Sequence, residues 1–229
     1  MQYQSIKLEH YLDQEKTWPQ EGRHILAQYD EYSIIVYQAY RPEIGLFAAE
    51  HQYFGGAFSL SRMSWIKPNF LWMMYRSSWG QAPGQEIVLA IRLKRRFFDE
   101  VLKAAVPSSY DSQIFSTNEK WRHAVQNSDV RLQWDPDHNP AGNKHNRRAI
   151  QLGLRNEMIE IYSKKAIVEI IDVSDFIAEQ RENISSNLND LITPKEDVYR
   201  SVEGDYKNIG LSSSTGLELG RTKEIVVSS

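Results

Sequence analysis

The chain has 229 residues, no cysteine and a net charge of −3, with 41% hydrophobic and 25% charged residues. That length buries one sizeable core, and the composition is that of a soluble globular protein. Lack of cysteine excludes disulfides, thiolate catalysis and cysteine-ligated zinc, and points to a cytoplasmic setting. The first ten residues contain no apolar stretch of signal-peptide type, and no run approaches the roughly 18 apolar residues of a membrane span, so no membrane partner is expected.

The β-branched and aromatic run 31–40 predicts a strand, in which Gln38 and Tyr40 point one way and Tyr37 the other. Arg41-Pro42 breaks it. Residues 43–53 follow with helical spacing through Ile44, Phe47 and Ala48, closed by Gly55-Gly56. After an aromatic segment at 62–80, a turn over 79–84 leads into a buried strand at 86–93. A short helix over 96–105 stops before Pro107, and a second over 117–126 is capped by Thr117 or Asn118.

Residues 130–134 and 148–153 alternate apolar and polar side chains, which predicts a hairpin. The turn formers at 135–144 predict a long polar loop between its strands, with His138 and His145 solvated. A strand over 166–171 and a helix over 173–188, capped by Asp172 or Ser174, complete the pattern. The Ser/Gly-rich stretch 201–229 is expected to be a peripheral or frayed tail to a single domain over 1–200. The fold class expected is α+β, a single mixed or mainly antiparallel sheet with flanking helices.

The segment 62–80 holds three Trp, one Phe, one Tyr, three Met and three cations within nineteen residues. Rings and cations together suit a surface that meets an anion carrying a planar base. Trp65, Phe70, Trp72 and Met73 also have the i, i+3 spacing of a core helix, so each is either platform or core. Tyr75 belongs to the same candidate platform. Arg62, Lys67 and Arg76 are costly to bury without an anion, which is either a ligand or a carboxylate such as Asp30 or Asp135. Between Arg62 and Arg96 stand seven Lys/Arg against one acidic residue; from Glu157 to Asp205 the balance is twelve acidic to five basic. This is either a mixed surface or a basic face, and a basic face fits one or two phosphates better than a coating of duplex nucleic acid.

Arg131, Gln133, Asp135 and Gln151 form a polar stripe on the hairpin, either its solvent face or a hydrogen-bonding floor for a ligand. No HExxH, no paired histidines at helical spacing, no GxSxG, no P-loop and no GxGxxG occur, so a metal site, a nucleophile elbow and a Rossmann dinucleotide fold are not expected.

The runs Tyr29-Asp30, 36–40, 62–80, Gln85-Glu86, 130–136 and 148–153 resemble the family described as domain of unknown function 4291. The resemblance extends from about Arg23 to Asp172 and implies no particular activity. At the level of architecture, the order of strand, helix, Arg/Ser-containing motif and Gln/Glu-led strand is similar to ADP-ribosyltransferases. That likeness implies NAD as cofactor and Glu86 as the carboxylate that steadies an oxocarbenium ion. Gln38 or Tyr40 then stands where those enzymes carry a first-strand Arg or His.

Two functions are expected from these features. One is an NAD- or nucleotide-using transferase, in which Arg62 and Arg76 hold pyrophosphate and Glu86 serves the ribose carbon, acting on a nucleic-acid, nucleotide or protein acceptor. The other is a non-catalytic RNA- or nucleotide-binding module built on the same rings and cations.

Overall fold

The computed structural model describes residues 5–201 and 206–211. In chain order its elements are β1 (Leu8–His10), α1 (Tyr11–Glu15), β2 (Glu21–Arg23), β3 (Leu26–Ala27), β4 (Ser33–Tyr40), α2 (Pro42–His51), β5 (Ser64–Ile66) and α3 (Phe70–Ser77). Then come β6 (Ile87–Lys94), α4 (Arg95–Ala104), β7 (Ala105–Pro107), α5 (Asn118–Asn127), β8 (Val130–His138) and β9 (Lys144–Leu154). The chain closes with α6 (Asn156–Glu160), a π-helical turn at Ile161–Lys165, β10 (Ile167–Asp172), α7 (Ser174–Ser186), β11 (Ile192–Pro194) and β12 (Asp197–Val198). The α+β class holds. The strands, however, divide into two principal sheets and two small pairs, where a single sheet was expected.

The reason lies in β4 and β6, which are apolar on both faces. These strands and β10 form an antiparallel sheet in the order β10-β6-β4. One face carries Ile34, Val36, Leu89 and Ile91 into a core shared with Leu132, Ile150, Leu152 and Leu154 of the other sheet. The opposite face carries Ile35, Tyr37, Val88 and Ala90 into a second core, closed by Phe70 and Met74 of α3 and by Phe176 and Ile177 of α7. A sheet buried on both sides needs continuous apolar strands and two covering layers.

The other principal sheet runs β2-β9-β8-β7, with β5 also paired to β9. Its hairpin is longer than the alternation predicts. Pairing continues through Gln133↔Gln151, Asp135↔Ala149 and Pro136↔Arg148 to His138↔Lys144, with a register shift after Pro136. The expected polar loop therefore shrinks to residues 139–143, and His138 is buried, not solvated. A buried ion pair from Arg147 to Asp137 at 2.6 Å secures this extension. No local pattern could announce it.

Thr117 caps α5 as expected, its hydroxyl accepting from the Lys120 N–H. Helix α2 ends at Gln52, in the left-handed region, before the glycines assigned to stop it. Gly45 lets α2 lie against β6, since a Cβ there would come within 2.4 Å of Ile87. Of the stretch assigned as a tail, Tyr206, Leu211 and the fully buried Ile209 pack on the first core. Residues 202–205 and 212–229 lie outside the described residues.

Candidate ligand-binding cleft

The end of β4, the start of α2, the 57–63 loop and β5 border a cleft of about 400 Å³. Tyr40, Ser64 and Gln38 form its floor. The Tyr162 hydroxyl donates to Gln38 Oε1. Gln38 Nε2 donates to Ser64 Oγ at 2.8 Å and to the Trp65 carbonyl at 3.0 Å. Tyr40 Oη lies 2.9 Å from the same Ser64 hydroxyl. Every polar atom of Gln38 is therefore engaged, and its role is to hold Tyr40 and Ser64 in place. Burial pushes the Tyr40 phenol well above its usual range, so it stays protonated.

Lys67 is fixed by its backbone. The Tyr37 N–H donates to the Lys67 carbonyl at 2.7 Å, and the Lys67 N–H returns to Tyr37 O at 3.2 Å. Pro68 and Asn69 follow, and the Asn69 side chain caps α3 by accepting from the Trp72 N–H at 2.6 Å. The Lys67 side chain is only 7% exposed. Among the described residues its Nζ has one hydrogen-bond partner, the Trp65 carbonyl at 3.5 Å, the outer limit for such a bond. Burial, helped by the nearby Arg76 and opposed by Asp135, pulls its pKa down to about 8. A buried ammonium with one weak acceptor is an energetic liability for the fold.

Charge in the lining is one-sided. Arg41, Arg62 and Lys67 line the cleft, and no Asp or Glu does. Arg41 has a surface contact to Glu43 at 3.5 Å. Arg62 is exposed and, among the described residues, makes no hydrogen bond or ion pair, so the pairing with Asp30 or Asp135 weighed for it does not form. Asp30 instead accepts from Tyr32 and Ser33 in its own turn. Half-buried Trp65, Phe58 and Tyr40 supply rings to the lining. Trp65 and Met63 lie close over Gly153, where a Cβ would come within 3.1 Å of the indole and 2.6 Å of the thioether.

The thirteen site residues expected from sequence separate into groups. Gln38, Tyr40, Arg62, Trp65 and Lys67 meet in the cleft. Gln151 Nε2 donates to Asp135 Oδ2 at 2.7 Å and Gln133 Nε2 to Asp135 Oδ1 at 3.1 Å, giving a closed triad on the outer face of the hairpin. Trp65 pairs with Gly153, two residues from Gln151, so it shares that face. Asp135 is also the carboxylate whose field reaches Lys67. Arg76 is exposed and, like Asp135, acts on Lys67 through space.

Other assignments change. Trp72 is buried and Tyr75 stacks on His138 with ring centroids 3.5 Å apart, so this pair belongs to an aromatic cluster beside α3. Arg131 donates to the carbonyls of Ser128 and Val125, capping the end of α5, and does not line the cleft. Glu86 is exposed outside the cleft and accepts from the Gly84 N–H at 2.8 Å. Its neighbour Gln85 lines the cleft instead. Reading the sequence missed Arg41, Phe58, Ser59 and Ser64. The Arg41-Pro42 break and the Ser within the aromatic segment carried a local signal, whereas residues 57–61 carried none.

A family model described as Domain of unknown function (DUF4291) matches residues 24–199. The chain belongs to that family. No curated protein matches the chain. The match covers every residue of the cleft and both principal sheets apart from β2, which precedes it. It lends no support to the ADP-ribosyltransferase likeness. Among the described residues no group of three or more His, Cys, Asp or Glu is arranged to hold a metal ion, and no helix is long and apolar enough to cross a membrane.

Proposed function

We propose that the cleft binds a nucleotide-sized anion carrying a planar ring, with Lys67, Arg62 and Arg41 taking phosphate oxygens and Trp65 stacking on the ring. The observation that carries this reading is the lining itself, three cations with no carboxylate. Its volume of about 400 Å³ suits one nucleotide, within the few hundred cubic ångströms usual for small-ligand pockets. An anion also offsets the cost of burying the Lys67 ammonium, because ligand charge replaces lost water.

NAD is a dinucleotide and would place one of its two nucleotides in the cleft, and a transferase using NAD is one form of the proposal. Binding is the better supported half, since Glu86 lies outside the cleft and no other carboxylate lines it. The RNA-binding alternative draws on exposed Tyr75 and Arg76, which could extend a phosphate track beyond the cleft.

Calorimetric titration with ATP, NAD and a short RNA tests the reading, with nicotinamide release followed in parallel. ATP or NAD should bind, and Lys67→Met and Arg62→Ala should each weaken binding about tenfold or more. Affinity should fall as pH rises through the Lys67 pKa of about 8, because the bound anion favours the protonated amine. Glu86→Gln should leave affinity unchanged. Absence of binding, or binding indifferent to Lys67→Met, would sink the proposal. Nicotinamide release abolished by Glu86→Gln would return that carboxylate to a catalytic role.

A further inference from the structure

Lys67 has a geometry that phosphate binding alone does not call for. A lysine that only recognises phosphate is served by an exposed ammonium, as exposed as the Arg62 guanidinium is in this cleft. Lys67 is instead held at both backbone groups by Tyr37 and is 7% exposed. It forms no ion pair among the described residues, and its Nζ has only the 3.5 Å contact to the Trp65 carbonyl. Two hydroxyls that remain protonated at neutral pH, Tyr40 and Ser64, sit 2.9 Å apart in the same lining.

We propose that Lys67 is a covalent amine, which condenses with the carbonyl group of a phosphorylated aldehyde or ketone bound in the cleft. The inference rests on the cleft's reading as a phosphate site and narrows its substrate class. The neutral Nζ lone pair attacks the carbonyl carbon, a C–N bond forms, and the carbonyl π electrons pass to oxygen. The attacking nitrogen, now cationic, gives up a proton that passes to that oxygen, with the Tyr40 and Ser64 hydroxyls in the lining as the relay, so neither is left ionised. The carbinolamine then expels its hydroxyl with the second nitrogen proton as water, leaving a C=N bond to Lys67. No electron is gained or lost overall. The amine is available for this step because its pKa of about 8 leaves an appreciable neutral fraction near neutrality. Arg41 and Arg62 would hold the phosphate.

The test uses the full chain, with pyridoxal 5′-phosphate as an aromatic probe and ribose 5-phosphate as a sugar probe. Borohydride reduction converts any imine to a stable secondary amine, which peptide mass spectrometry locates. The expected result is an adduct confined to Lys67, blocked by excess ATP, much reduced with unphosphorylated pyridoxal, and absent in Lys67→Arg. That variant keeps the charge but cannot form the imine. Labelling spread over exposed lysines such as Lys94 and Lys195, or unaffected by loss of the phosphate, would overturn the inference. ATP binding without any Lys67 adduct would overturn it while leaving the binding reading intact. A phosphate-dependent Lys67 adduct without ATP binding would instead support the amine chemistry and dismiss the nucleotide. Preference between the two probes identifies the carbonyl source.

Discussion

Lys67 costs the fold stability. Its pKa of about 8 lies below the ordinary lysine value of 10.5, a difference worth about 3 kcal/mol while the unfolded chain stays protonated. Between those values the unfolded chain binds more protons than the native one, so this cost is present below about pH 8 and fades as pH rises toward 10.5. Lys67→Met should therefore be more stable than wild type at neutral pH, by up to about 3 kcal/mol in denaturant unfolding. The difference should shrink above pH 8. Comparing the two proteins isolates Lys67, because buried Tyr37 and Tyr162, pushed far above the usual phenol value, titrate in both. A Lys67→Met variant less stable than wild type would mean that Asp135 pays back the burial in full. Sequence pointed to Lys67 by setting a cation among rings. It could not show that Tyr37 would clamp that cation's backbone, since the partner lies thirty residues away on another strand.

At the scale of elements, α3 shows how a short helix is secured for a site. Asn69 caps it and is itself 2% exposed, and its amide donates to Glu196 Oε2 at 3.1 Å. Glu196 Oε1 accepts the Phe70 N–H at 2.6 Å. Burial raises the Glu196 carboxyl well above its usual range, against the pull of those hydrogen bonds. Thr117 caps α5 with a single 3.2 Å bond on the surface. Asn69→Ala should cost about 2 kcal/mol or more, because a buried acceptor loses its partner as well. Thr117→Ala should cost about 1 kcal/mol or less. Urea midpoints with unchanged m-values check both, and equal costs would deny Glu196 its share. The Thr117 cap was legible in the sequence because capping is local. Glu196 was not, as it reaches α3 from 126 residues away.

For the whole molecule, Arg147 is a buried long-range tie. This residue is 1% exposed, its Nε donates to Asp137 Oδ2 at 2.7 Å, and its NH1 donates to the Pro19 carbonyl at 2.6 Å. The guanidinium also lies 5.4 Å from the Trp18 ring centroid. It joins the tip of the β8–β9 hairpin to the N-terminal segment. Arg147→Leu should destabilise by about 3–5 kcal/mol, since Asp137 is left buried and unpaired. The double variant Arg147→Leu, Asp137→Leu should recover a large part of that loss. Thermal unfolding of the single and double variants measures the coupling, and purely additive losses would show the pair to be independent.

Local physics determined much of this protein from the sequence alone. The β-branched and apolar runs of β4 and β6, the alternation in β8 and β9, the helical spacing of α2, the stop of α4 before Pro107 and the Thr117 cap all depend on neighbours a few residues apart. So did the sense that 62–80 holds a site, because rings and cations crowd one short segment. Tertiary structure decided which of those residues belong to it. Side chains identical in kind part company once strands pair: Arg62 lines the cleft while Arg131 caps a helix. Trp65 lines it while Trp72 is packed away. Glu86 turns back onto its own loop and Gln85 faces in. Register and sheet order fix those directions through contacts dozens of residues apart, and the desolvation that moves the Lys67 amine exists only once those sheets have closed around it.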